Sequence, residues 1–203
     1  MDDGARASLA RLDAITRRLR VECPWDREQD ERSIVPHTVE EAYELADAAI
    51  DGDDDKLVDE LGDVLFQVYF LSLLLEERGA GDLAAVAERM IDKLIRRHPH
   101  VFGDVEVDSA EGVVRNWDAI KRDEHGSIFG DLPENLPALL YARKVIRRAA
   151  NAGLEPRAPH ESDASANIGR RLFELVAEAR EQDIDPELAL RTYARRFMEG
   201  ATE

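Results

Sequence analysis

TVEEAYELADAAIDGDDDKLVDELGDVLFQVYFLSLLL, residues 38–75, is the stretch that decides the fold. Both halves carry helix formers with apolar residues at helical spacing, and Asp51-Gly52-Asp53-Asp54 between them is a tight-turn signal. Thr38-x-x-Glu41 has the form of a capping box and predicts a helix over about 38–50. A longer helix is predicted over about 55–78, ended by Gly79 and Gly81. Helices joined by so short a turn fold back antiparallel. Glu41 and Glu44 stand three residues apart on the first helix and so share a face, as Glu60 and Asp63 do on the second. Across an antiparallel hairpin, facing residues have numbers that add to a constant. Pairing Glu44 with Glu60 uses the same constant as pairing Glu41 with Asp63, so all four carboxylates lie at one height.

Four carboxylates in one place repel and raise each other's pKa, and a hard divalent cation removes that cost. An all-oxygen donor set suits Mg2+ or Mn2+. Glu40, beside Glu41, and Asp59 or Asp47 add outer charge. Di-iron bundles bring imidazole to the metal through Glu-x-x-His, which occurs nowhere in this chain. The pattern therefore points to hydrolytic, oxygen-ligated metal chemistry.

Working outward, Leu9, Leu12, Ile15 and Leu19 space a helix over 5–20. Cys23-Pro24-Trp25-Asp26 breaks it, and a polar loop is expected as far as Pro36. Asp82 is placed to cap a helix that ends near Arg97, before Pro99. A loop of about ten residues then passes Phe102 and Gly103, and a further helix is predicted over about 110–124. Gly126 to Pro137 reads as a linker. Three shorter helices follow near 137–151, 165–182 and 186–198, with Pro156 and Pro159 between the first two. Val101 to Val107 comes nearest to a strand pattern and is short. The expected fold class is all-α, a helical bundle built on the antiparallel hairpin.

Composition narrows the function. The 203 residues carry 44 acidic and 27 basic side chains, a net charge of −17, which disfavours a long nucleic acid but not a small, metal-complexed anion. A single cysteine, Cys23, excludes an intramolecular disulfide. The longest apolar run, Val64 to Leu75, is too short to cross a bilayer, so no membrane partner is expected. The first residues lack the pattern of a signal peptide, and a cytoplasmic location is expected. That same apolar run carries more hydrophobic surface than one neighbour covers, which predicts a homodimer.

Glu40-Glu41-x-x-Glu44, fifteen residues, then Glu60-Leu61-Gly62-Asp63 resembles the EExxE…ExxD motif of the MazG-type nucleoside triphosphate pyrophosphohydrolases. Cys23-Pro24-Trp25-Asp26, the block Lys93 to Phe102, and Asn116-Trp117-x-x-x-Lys121 are similar to the family's other blocks, in order, so the likeness spans residues 9–124. It implies a helical, usually dimeric fold in which Mg2+ on Glu41, Glu44, Glu60 and Asp63 holds the triphosphate. It also implies that Lys93, Arg97 and Lys121 contact phosphates, with Arg96 and Asn116 in the same blocks, and that Trp117 meets the base or sugar. Trp25 with Pro24 reads as a packing plug or, alternatively, as a border of the base. Lys93 and Arg97 are four apart, as are Trp117 and Lys121, so each pair shares a helix face.

Family members carry two such domains, and residues 137–203 resemble a worn second copy after a catalytic domain over 1–125 and a linker over 126–136. Asn167-Ile168-Gly169-Arg170 aligns with Glu60-Leu61-Gly62-Asp63, keeping the apolar frame and losing both carboxylates. This half is expected to bind no metal, and to cover the first half or mediate assembly.

The resemblance implies metal-dependent hydrolysis of a nucleoside triphosphate to the monophosphate and pyrophosphate, with Glu41 or Glu40 deprotonating the attacking water and Lys93, Arg97 or Lys121 steadying the leaving group. Two alternatives stand beside it. One is a narrower dUTP or dCTP pyrophosphatase; the other is a non-catalytic regulator that senses a nucleotide or binds a partner protein.

Overall fold

The computed structural model of the chain describes residues 2–129, 132–154 and 163–201. Gly130 of the expected linker, and Pro156 and Pro159, lie outside the described residues. Among the described residues every regular element is a helix. The packing divides into two units, Met1–Leu94 and Ile95–Glu203.

The first unit is built on α1 (Asp3–Glu22), the short α2 (Pro24–Glu28), α3 (Glu31–Asp51) and α4 (Asp54–Glu77). Gly52 closes the α3–α4 hairpin at φ 70°, a left-handed conformation that glycine adopts without steric cost. Asp53 caps α4 by accepting from the Lys56 amide. Ile34 on α3 packs with Phe70 and Leu74 on α4, and Phe66 and Leu71 extend the cluster. Ile34 and Phe70 obey the same hairpin constant as the carboxylate pairs, so the core fixes the register that the acidic residues need.

α1 lies along α4 and is tied to its C-terminal end by charge. Arg17 donates to both carboxylate oxygens of Glu76 at 3.0 and 2.7 Å, and Arg20 to both of Glu77 at 2.8 Å. Arg20 also donates to the Asp26 carbonyl and, at 3.0 Å, to that of Gln29, while its guanidinium stands 5.9 Å from the Phe70 ring centroid. One arginine thus pins the α1–α3 connection to the core. Beneath it, Thr16 is buried and donates to the Leu12 carbonyl at 2.9 Å.

Two local expectations are corrected. The segment around Pro24 is the helix α2, with proline at its first turn where no amide bond is lost. α3 begins seven residues before the expected 38, because Asp30 accepts from the Ser33 amide and the Ser33 hydroxyl takes the Asp30 amide, a complete capping box. Thr38 is consequently interior, where its hydroxyl bonds back to the Ile34 carbonyl at 3.3 Å, and Pro36 sits within the helix.

α5 (Leu83–Arg97) carries Asp82 at its start, accepting from the Ala85 amide at 2.7 Å, and none of its side chains is buried. In the second unit, α6 (Pro99–Phe102) is a single turn where a loop was expected, and α7 (Ala110–His125), α8 (Ala138–Asn151), α9 (Ala164–Glu181) and α10 (Pro186–Gly200) follow the predicted helices closely. α8 touches α7, α9 and α10, and Ile146, Ala149 and Val176 are its buried apolar centre. Asp118 on α7 ties down α8, accepting from Asn151 Nδ2 at 2.5 Å and standing 3.4 Å from Arg147 Nε.

Candidate functional site

The hairpin brings the acidic residues together as its register demands. Glu41, Glu60 and Asp63 each offer an oxygen within 4.8 Å of the others. Glu60 is buried, 7% exposed, while Asp63 is open to solvent and Glu41 lies between. Glu44 is exposed and falls outside that tight group, yet its charge is the largest electrostatic influence on Glu60. Glu40 points outward beside His37 Nδ1, at 3.7 Å.

Burial first, and then the neighbouring charges, push two of these carboxyls up. Desolvation raises the pKa of Glu41, and Asp63, Glu44, Glu60 and Glu40 add to it. Desolvation likewise raises Glu60, with Glu44, Asp63 and Asp59 adding and Lys56 opposing. The fold therefore holds a half-buried acidic group at an electrostatic cost, and a divalent cation on its convergent oxygens would remove that cost. Among the described residues this is the one such cluster of metal-ligating side chains.

Trp25, half-exposed at 51%, meets the His37 ring edge-on at a centroid distance of 5.8 Å, and His37 in turn faces Glu40. This places an aromatic face on the α2–α3 side of the first unit. Lys93 is exposed near the end of α5.

The remaining predicted residues belong to the second unit. Lys121 Nζ lies 4.5 Å from the Trp117 ring centroid, the cation–aromatic contact expected of residues four apart on α7. The rings of His98 and Trp117 are 5.8 Å apart, and His98 and His100 are 5.6 Å apart. Arg96 and Arg97 are both engaged: Glu124 Oε1 accepts from Arg96 Nε at 2.7 Å and Oε2 from Arg97 Nη2 at 2.6 Å. The two guanidiniums hold the Glu124 carboxyl down to about pKa 2, Arg97 contributing more than Arg96. Asn116 is half-buried, and its Nδ2 has no hydrogen-bond acceptor.

Sequence reasoning missed Glu124, Asp118 and the pair Arg147 and Arg148. Glu124 carried a signal, since it stands seven residues after Trp117 on the same face of α7. Arg147 and Arg148 carried none, because their relevance depends on α8 packing against α7. On α9, Arg170, which occupies the position aligned with Asp63, donates to Glu174 at 2.9 Å, an ordinary pair four residues apart.

The profile of the MazG nucleotide pyrophosphohydrolase domain matches residues 29–102, the segment that holds the hairpin and α5. A nucleoside triphosphate pyrophosphohydrolase/pyrophosphatase MazG of Thermotoga maritima is 36% identical over 199 residues, covering 87% of this chain and 76% of the relative. The chain belongs to the MazG family. A nucleoside triphosphate pyrophosphohydrolase of Escherichia coli (strain K12) is 43% identical over 138 residues, or 66% of this chain and 52% of the relative. One of the same description from Mycobacterium tuberculosis is 33% identical over 190 residues, or 92% of this chain and 54% of the relative. This MazG chain thus spans about half the length of those two relatives. No described helix is long and apolar enough to cross a membrane.

Proposed function

We propose that the chain hydrolyses nucleoside triphosphates to the monophosphate and pyrophosphate, with Mg2+, or Mn2+ in its place, held by Glu41, Glu44, Glu60 and Asp63. The observation that carries the reading is the convergence of Glu41, Glu60 and Asp63 around a buried Glu60, in a family whose named members are nucleoside triphosphate pyrophosphohydrolases. The bound cation would supply charge neutralisation on the phosphate oxygens and acidify a water.

The chain's own residues do the rest. Glu41, inside the cluster, or the exposed Glu40 beside it takes the proton of that water. Lys93, Arg96, Arg97 and Lys121 hold the phosphates, Trp117 and Asn116 meet the base or sugar, and Trp25 borders it. Lys121 is suited to this work because it has a tryptophan face beside it and, among the described residues, no carboxylate bonded to it. Residues 1–125 form the catalytic domain in this reading, 126–136 the linker and 137–203 the worn half without metal. Activity in the cytoplasm as a homodimer completes it.

Pyrophosphate release from a panel of NTPs and dNTPs, with and without Mg2+, tests the reading. Wild type should turn over only with metal, and Glu60→Gln should lose at least about a hundredfold. Metal-independent turnover, or an unimpaired Glu60→Gln protein, overturns the site. Nucleotide binding without turnover in wild type moves the reading to a nucleotide sensor.

A further inference from the structure

The second unit contains buried donors that lack acceptors. Arg97 Nε, His100 Nδ1, Asn116 Nδ2, Trp117 Nε1, Arg147 Nε and Arg148 Nη1 are each shielded from solvent without a hydrogen-bond partner. All are nitrogens, whereas the corresponding atoms of the first unit, on Glu31 and Gln67, are oxygens. Five of the six are donors in every state, and His100 Nδ1 is one in its Nδ1-protonated form; buried donors left unmade are costly, and an anion with several acceptor oxygens satisfies them.

The carboxylates nearby are already committed. Glu124 takes Arg96 and Arg97, and Asp118 takes Asn151 and faces Arg147. Lys121 and Arg148 have no hydrogen-bonded carboxylate among the described residues. Burial, and the charges of Arg97, Arg147 and Arg148, hold the Lys121 pKa below its usual value, against the opposing pull of Asp118. In a chain of net charge −17, four cations bearing on one another through a packed helix pair are out of keeping with a merely solvated surface.

We propose that Arg148, on α8 in the C-terminal half, binds the oligophosphate of a nucleotide together with Lys121. The guanidinium offers a planar fork to phosphate oxygens, and the lysine offers a point charge beside the Trp117 face. The worn half then contributes a binding residue through the α7–α8 contact, although it keeps no metal carboxylates. The identity of the ligand rests on the proposed pyrophosphohydrolase activity; the anion site itself does not.

The test is calorimetric titration of the full chain with inorganic tripolyphosphate, without divalent metal. Wild type is expected to bind, Arg148→Gln to bind at least about tenfold more weakly, and the charge-matched control Arg180→Gln on α9 to bind as wild type does. Absence of binding in wild type overturns the inference, as does equal binding by Arg148→Gln or equal weakening by the control. A second measurement avoids any folding defect in the variant. Tripolyphosphate should slow phenylglyoxal modification of Arg148 in wild type, read by mass spectrometry, and leave Arg180 unprotected; an unprotected Arg148 overturns the inference. Turnover of NTPs without tripolyphosphate binding sinks this inference alone, and tripolyphosphate binding without turnover sinks the proposed activity alone.

Discussion

Glu60 is the residue on which the proposed metal binding and folding would compete. Its carboxylate is buried beside Glu41 and Asp63, and with no cation bound the repulsion is opposed by the charge of Lys56. Glu60→Gln should therefore raise the melting temperature of the metal-free protein while removing the stabilisation that Mg2+ is proposed to give wild type. A thermal scan with and without the cation reads both, and a metal-free melting temperature lowered by the substitution would contradict the electrostatic account. Glu124 presents the opposite sign. Its folded pKa, near 2, lies below its ordinary value, so its ion pairs with Arg97 and Arg96 are fully present above the ordinary carboxylate range. They are lost as pH falls from about 4.5 toward 2. Glu124→Gln should cost about 1 kcal/mol at pH 7 after solvent screening, and the gap to wild type should close as acid is added. A gap that stays constant between pH 7 and pH 3 would show that Glu124 acts through packing instead.

At the scale of the element, the cap of α3 separates what the sequence made legible from what it hid. The hairpin register could be read directly, because two carboxylate pairs three apart and a short acidic turn leave one antiparallel alignment, and Ile34 against Phe70 obeys it. The start of α3 could not. Pro36 reads as a helix breaker, and Thr38-x-x-Glu41 imitates a capping box, yet Asp30 and Ser33 cap the helix earlier and packing of Ile34 in the core carries it through the proline. Tertiary burial overrode local propensity there. Asp30→Ala should accordingly cost about 1 kcal/mol of stability, as loss of an N-cap does. Thr38→Ala should stay within about 0.5 kcal/mol of wild type, since it removes only a back-bond inside the helix. Chemical denaturation of both variants decides, and the reverse ranking would restore the cap to Thr38. The second unit's cluster was illegible for a different reason, since Arg147 and Arg148 gain meaning only from the contact of α8 with Asp118 and Lys121.

At the scale of the whole molecule, α4 presents two apolar faces, and the described residues of its own unit cover only one. Phe70, Leu73 and Leu74 are buried, while Val58, Leu61, Leu65 and Val68 stay exposed at alternating spacings of three and four, the seam of a coiled coil. Gly62 lies within that seam, and a Cβ built on it meets nothing within 4 Å. A mid-helix glycine costs about 1 kcal/mol relative to alanine, so its presence on an open face has no return within the lone chain. Close approach of a second copy across the seam would supply one, as small residues do wherever helices pack tightly. The two cases give Gly62→Ala opposite signs. In a dimer packed across the seam, the added methyl meets the partner helix, and association weakens in sedimentation equilibrium at micromolar concentration. Leu65→Glu should then give a monomer outright, because a charge in a coiled-coil seam is desolvated without a partner. In a chain that is monomeric to begin with, Gly62→Ala simply gains helix propensity and melts higher, and its melting temperature is independent of concentration. A wild-type monomer together with a stabilised Gly62→Ala protein would remove the dimer and leave the exposed seam to some other partner.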